Sequence, residues 1–328
     1  VPDDLSVRPS GRVVLAARDS ASQSGYSGRF ATDYVWFSER EVNTRRLTAA
    51  ALGDVATHLA EGDFAVLKRV SELRFATGSQ LTRLHFAEGD SPAANARAAR
   101  RALLRLMQLD VLERLPRAIG GARAGSAGFV YRPGLAGQRL AMERGWIPAQ
   151  RARRSRVPGT LFVRHALQVA ELHTRLIEAD RAGRIELLEL SAEPACHRRL
   201  PSGIGTQPEA RLKPDSFLRL GAGDFEDSYF IEVDRGTEGS RALIRQLKAY
   251  LAYQASGREQ RQRGVFPLVL WLAPDARRAQ VITDCVRALP RADRGLFRVG
   301  LFTDALQLIR DTGGSNELSP TPAWPSGA

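Results

Sequence analysis

Two acidic residues stand two apart in an aromatic and β-branched run, Tyr229-Phe230-Ile231-Glu232-Val233-Asp234. Side chains alternate along a strand, so Glu232 and Asp234 share one face while Ile231 and Val233 point to the other. Two acids on one strand face repel each other unless something binds them. A second apolar run, from Leu212 to Leu220, carries Lys213-Pro214-Asp215 and is separated from Ser228 to Asp234 by the turn-like stretch Gly221 to Asp227. Paired as a hairpin, the two runs bring Asp215 towards Glu232. The three converging carboxylates are then oxygen ligands suited to Mg²⁺. A bland reading of the same residues is open beside this one: Asp234 pairs with Arg235, Arg241 or Arg245, and Asp215 caps a turn.

These side chains need a frame. After about residue 150, helical stretches alternate with short β-branched runs at Ile185 to Leu190, Tyr229 to Val233, Leu268 to Trp271 and Phe297 to Phe302. That alternation predicts an α/β domain with a mixed central sheet, preceded by a helix containing Arg164 to Ile177 and therefore Glu171. Before residue 150 the pattern is mainly helical. Asp63 can cap a helix bearing Phe64, Leu67, Val70 and Leu73 on one face. Thr77 and Gln80 have the spacing of a reciprocal cap for a short helix through Phe86. Ser91-Pro92 starts a third helix, with serine as cap and proline at the first helical position.

This third helix places Ala99, Ala102, Leu103, Leu106 and Leu109 on one face and Arg97, Arg100, Arg101, Arg105 and Gln108 largely on the other, with Leu104 breaking the division. Two β-like runs follow, Val111 to Leu115 and Phe129 to Arg132. The loop between them carries Arg117, Arg123 and glycines at 120, 121, 125 and 128. Three short helices and a basic hairpin predict a winged helix. Its third helix suits a DNA major groove, with arginines on phosphates or guanine edges and the hairpin along the neighbouring backbone. An arginine face that is merely solvated, on a module used for protein contacts, is the competing reading.

The expected order is a flexible arm at 1–48, with an apolar patch around Tyr34-Val35-Trp36-Phe37, a winged helix at 49–148, and a basic linker at 149–162 holding Arg151, Arg153, Arg154 and Arg156. An α/β domain at 163–312 and a Gly, Ser and Pro-rich tail at 313–328 complete it. Across 328 residues, 48 Lys and Arg stand against 36 Asp and Glu, a formal charge of +12 that favours a polyanionic partner. Double-stranded DNA is the expected one, with other replication or transfer proteins and a second copy of the chain as further partners. Lysine occurs only at Lys68, Lys213 and Lys248.

Cys196 and Cys285 lack a second cysteine at metal-ligand spacing, so neither a zinc finger nor a disulfide framework is expected. The five histidines, His58, His85, His165, His173 and His197, lack metal-binding context and read as structural or surface residues. Gly203-Ile204-Gly205 lacks dinucleotide-binding spacing, and no phosphate-binding loop motif occurs. Neither a signal peptide nor a membrane span is expected, since the longest apolar stretch, Val265 to Pro274, is about half a span. A cytoplasmic setting follows as the expectation.

The proline-aspartate of one strand and the Glu-x-acid of the next resemble the restriction-endonuclease-like nuclease core from about Arg164 to Phe302. Gln246-Leu247-Lys248-Ala249-Tyr250 resembles the Q-x-x-x-Y element of that superfamily's exonuclease branch. With the winged helix and Glu-Val-Asp-Arg-Gly-Thr at 232–237, residues 50 to 310 are similar to the replication-relaxation family of plasmids and other mobile elements. The resemblance implies DNA binding in replication, relaxation or transfer, and a Mg²⁺-dependent phosphodiesterase site. In that site Asp215 and Glu232 are metal ligands, Asp234 is an extra ligand or base, Glu171 completes the acidic set and Gln246 assists. The superfamily's usual lysine is replaced by Asp234, so the cation is expected from Lys248, or from Lys213 beside Asp215. A degenerate core that serves as a non-catalytic DNA-binding adaptor is the alternative.

Overall fold

The computed structural model describes residues 47–115, 128–149, 159–200, 211–223 and 225–313. The arm at 1–46, Arg117 and Arg123 with glycines 120, 121 and 125, the basic linker arginines, Gly203 to Gly205 and the tail from 314 lie outside these residues. The described residues, all of them from Leu47 onward, belong to one compact unit.

The N-terminal half begins with α1 (Ala49–Thr57), capped by Thr48, whose Oγ1 accepts from the Ala51 amide at 3.2 Å. Helix α2 (Glu61–Leu73) starts two residues before Asp63. Asp63 sits at its third position and accepts from the amide of Ala60 at 2.9 Å, so it closes the helix start by reaching back and is not the cap residue itself. A two-residue strand β1 (Ala76–Thr77) leads into α3 (Gly78–His85). There the reciprocal cap forms as its spacing predicts, with Thr77 Oγ1 accepting from Gln80 N at 3.1 Å and Gln80 Oε1 from Thr77 N at 2.9 Å. Helix α4 (Pro92–Gln108) begins at the Ser91 cap. A cap of this kind is worth about 1 kcal/mol.

Strands β2 (Leu112–Arg114) and β3 (Val130–Pro133) and helix α5 (Leu135–Glu143) follow, and β1, β3 and β2 form a small antiparallel sheet in that order. Leu67, Val70, Leu103 and Leu106 join Leu81, Leu112 and Tyr131 in the core of this half. Each buried leucine contributes roughly 1.5–3 kcal/mol. Gly137 lets α5 approach β2, because a Cβ there would lie 2.0 Å from the carbonyl oxygen of Val111.

The C-terminal half starts with the long helix α6 (Thr160–Arg181). Strand β4 (Glu186–Ala192), the short pair β5 (Arg198–Arg199) and β6 (Arg211–Leu212), and the hairpin β7 (Ser216–Ala222) and β8 (Phe225–Val233) come next. Helices α7 (Ser240–Ala255) and α8 (Arg258–Arg263) precede β9 (Leu268–Ala273). Helix α9 (Ala276–Arg287), strand β10 (Phe297–Leu301) and α10 (Ala305–Gly313) close the described chain. The sheet is mixed and ordered β10-β9-β8-β7-β4, with β8, β9 and β10 parallel and β4, β7 and β8 antiparallel. The β7–β8 hairpin is tighter than the sequence suggests, since pairing continues through Gly221 with Glu226 to Ala222 with Phe225.

Alternation sorts the strand side chains into two cores. Phe217, Phe230, Val269 and Trp271 face α7 and α9, whereas Leu218, Tyr229, Ile231, Val233 and Leu270 face α6 and α10. Glu232 therefore lies on the α7 side of the sheet, opposite Ile231 and Val233. Helix α6 also packs against α3 through charged groups. Arg83 donates to Glu178 at 2.5 and 2.7 Å and to Glu171 at 2.9 and 3.0 Å, and Arg181 donates to the terminal carbonyls of α3. Among the described residues no helix is long and apolar enough to cross a membrane.

Candidate functional site

The site lies where β7 begins and β8 ends. The antiparallel ladder extends past β7, with Asp215 N donating to Ile231 O at 3.0 Å, so Asp215 is carried beside the end of β8. Its Oδ2 accepts from the Val233 amide at 2.7 Å, and its Oδ1 lies 2.7 Å from Nε2 of His165, one turn into α6. The hydrogen bond to Asp215 raises the His165 pKa more strongly than burial lowers it. His165, set aside in the sequence for want of metal-binding context, is thus a member of the site. Only the fold, which brings together residues 50 apart, reveals it.

Glu232 is 5% exposed. Burial, and then the neighbouring Asp215 charge, push its carboxyl well above the usual range, while hydrogen bonds from Tyr250 and Gln246 act in the opposite sense. Gln246 and Tyr250, one turn apart on α7, thus serve the same carboxylate. Tyr250 is fixed by rings: its centroid is 5.8 Å from that of Phe230 and 6.4 Å from that of Phe297. It donates its hydroxyl to Glu232 Oε1, and burial with the adjacent carboxylate raises its own pKa.

Asp234, expected as a further ligand or base, is engaged on both oxygens by Arg278 of α9, at 2.6 and 2.7 Å, and also accepts from Gly236 N at 2.6 Å. None of the arginines near it in sequence is its partner. A fork of this kind is among the stronger charge-assisted pairs, and here it ties the end of β8 to α9. Glu171, expected to complete the acidic set, is about 120° round α6 from His165. It instead accepts from Arg83, Gln80 and Arg175, facing α3. Lys248, expected to supply the cation, is exposed and about 200° round α7 from Gln246. The lysine that reaches the site is Lys213.

Asp215, Glu232, Asp234, Gln246, His165 and Lys213 line one cavity of about 380 Å³, together with Arg235, Trp271 and the first turn of α6. Among the described residues, no group of three or more His, Cys, Asp and Glu side chains is arranged to hold a metal ion. The donor set that remains is the pair Asp215 and Glu232. Mg²⁺ commonly takes only one or two protein carboxylates and completes its shell with water and substrate phosphate. A carboxyl raised by burial and then by a neighbouring carboxylate, with no basic side chain bonded to it among the described residues, fits such an ion.

The exposed arginines of α4 form a second feature. Arg97, Arg100 and Arg101 are exposed and have no ion-pair partner among the described residues. Arg105, read with them in the sequence, is committed elsewhere, gripping Asp63 at 2.6 and 2.8 Å.

The described chain is thus an α/β protein in which a mixed five-stranded sheet sets a carboxylate pair in a cleft, preceded by a helical region with a basic helix. The replication-relaxation family model matches residues 67–269, well over half of the chain. The chain belongs to the replication-relaxation family. Comparison with curated proteins and with solved structures gives no match.

Proposed function

We propose that this protein binds double-stranded DNA of a plasmid or other mobile element during replication, relaxation or transfer, and that its cleft is a cation-dependent phosphodiesterase site. Family membership supports the process. The cleft reading is carried by one observation above the rest: Asp215 and Glu232, 17 residues apart in sequence, meet in one cavity, with Gln246 and Tyr250 supporting the buried carboxyl.

The order α2, β1, α3, α4, β2, β3 supports a winged helix with α4 as the groove-reading helix, its Arg97, Arg100 and Arg101 against phosphates or guanine edges. The C-terminal half, with its hairpin, Q-x-x-x-Y helix and mixed sheet, supports a restriction-endonuclease-like core. In that core Asp215 and Glu232 hold the ion. When bound, Mg²⁺ neutralises charge on the phosphate and makes a water more acidic. Lys213 stabilises charge building on the phosphate, in the role first expected of Lys248. Tyr250 and Gln246 orient Glu232, His165 and the Val233 amide orient Asp215, and Asp234 with Arg278 holds the strand end.

A second reading is favoured by the Asp234–Arg278 pair, which occupies the position of the superfamily lysine. There the core is a silent scaffold that binds DNA and partner proteins without cleaving. Titration with Mn²⁺ and duplex DNA separates the two. On the first reading, Asp215→Ala and Glu232→Ala abolish Mn²⁺ binding and leave duplex affinity unchanged or increased. Equal Mn²⁺ binding by wild type and both variants would discard the cleft as a cation site.

A further inference from the structure

The cleft has an apolar rim that holding an ion and a phosphate does not explain. Leu161 and Phe162, in the first turn of α6, line the same cavity as Asp215 and are 63% and 40% exposed. The Phe162 ring is held in place. It packs edge-on against Phe75 at 6.0 Å, and the guanidinium of Arg74, itself tied to Glu193 at 3.2 Å, lies 5.7 Å from its centroid. A braced aromatic ring left open to a polar cavity is a surface for another flat ring.

Two cationic side chains, Lys213 and Arg235, line the cavity beside this rim. Arg235 is steadied by Gln168 at 2.8 Å. Trp271 lines it too, and its buried Nε1 has no hydrogen-bond partner among the described residues. A buried donor left unpaired is costly, so an acceptor supplied by a ligand or by water is favoured there. The carboxylates are recessed, with the Asp215 side chain 14% exposed and Glu232 5% exposed.

An intact duplex keeps its base faces stacked inside and offers only edges and phosphates. An unpaired base offers a face, and stacking on an aromatic side chain is the usual sequence-tolerant way to hold one. We propose that the cleft accepts an unpaired nucleotide of a DNA strand, with Phe162 and Leu161 beneath the base and Lys213 and Arg235 against the adjoining phosphates. This rests on the DNA-binding reading above and specifies its substrate at the cleft: a single-stranded or locally opened stretch, while α4 holds the duplex.

Fluorescence anisotropy in EDTA tests this without any cleavage. The probes are a labelled single strand, the blunt duplex of the same sequence, and that duplex with a single-stranded overhang. Phe162→Ala is expected to weaken binding of the single strand by roughly tenfold and to abolish the advantage of the overhang, while the blunt duplex changes by less than about twofold. Phe162→Trp, which keeps an aromatic face and the packing on Phe75, restores single-strand binding. Equal losses on all three probes, or no loss on the single strand, overturn the inference. So does a wild type that binds the blunt duplex and shows no preference for the overhang, a result that leaves the duplex reading intact. Wild type that binds none of the probes overturns both.

Discussion

Acid should loosen this protein through His173, and the size of the effect follows from its surroundings. His173 lies on α6, fully buried, with Nε2 2.8 Å from Oγ of Ser216, the residue after Asp215. Burial, with a smaller contribution from Arg69, lowers its pKa from 6.5 to about 3. The folded state therefore binds the proton less readily than the unfolded chain. The stability this provides is fully present above pH 6.5 and is lost as pH falls towards about 3. Each pH unit in that window removes about 1.4 kcal/mol, so at about pH 5 His173 alone costs about 2 kcal/mol. His85, lowered to about 4 by burial, adds a similar loss over a shorter window. His165 acts in the opposite sense, because its raised pKa gives stability that is present at low pH and lost as pH rises through the folded value. Comparison with His173→Gln cancels the other groups. Urea unfolding at about pH 7.5 and about pH 5 should show the variant losing about 2 kcal/mol less than wild type between the two. Equal losses in the two proteins would refute the argument that α6 is anchored beneath the site by a neutral buried imidazole.

Replacing both Arg97 and Arg101 with alanine should lower duplex affinity and reduce the slope of log K against log salt by about 2, as read by anisotropy across a salt series; an unchanged slope removes α4 from the interface. Arg83→Met should destabilise the protein by about 1–2 kcal/mol in urea, a modest value because the group is partly solvated and its ion pairs are screened. Glu232→Gln should raise Tm at about pH 8 by roughly 2–4 °C. The raised carboxyl of wild type gives stability present at low pH and lost as pH rises, so that gain should vanish near about pH 3, below the ordinary carboxyl range. Mg²⁺ should raise the Tm of wild type and not of this variant.

The parts of the fold legible in the sequence were those written in local patterns. The Thr77 and Gln80 cap, the Ser91-Pro92 start, and the division of Ile231 and Val233 from Glu232 all follow from spacing, and the structure reproduces each. Helix α1 and strand β1 escaped because nine and two residues carry too little periodicity. The hairpin and the approach of Asp215 to Glu232 were legible because a turn-like stretch separates two strand-like runs, whereas the register was not, since pairing runs on through Gly221 with Glu226 inside that stretch.

What escaped at the site depends on contacts distant in sequence. Arg278 takes Asp234 from 44 residues away, and Arg83 takes Glu171 across 88. Neither spacing nor composition ranks such partners above the arginines nearby. His165 was missed for the same reason, since its role appears only once α6 is laid against the start of β7. The choice between Lys213 and Lys248 was a matter of helix phase: Gln246 and Tyr250 face Glu232, and a residue two positions from Gln246 does not.

The most direct test of the central claim incubates the protein with supercoiled plasmid in Mg²⁺ and in EDTA, with Glu232→Ala alongside. Nicked or linear plasmid is expected with Mg²⁺ and wild type only. Plasmid that stays supercoiled while its migration is retarded by both proteins would contradict a phosphodiesterase site at Asp215 and Glu232 and leave the core as a DNA-binding scaffold.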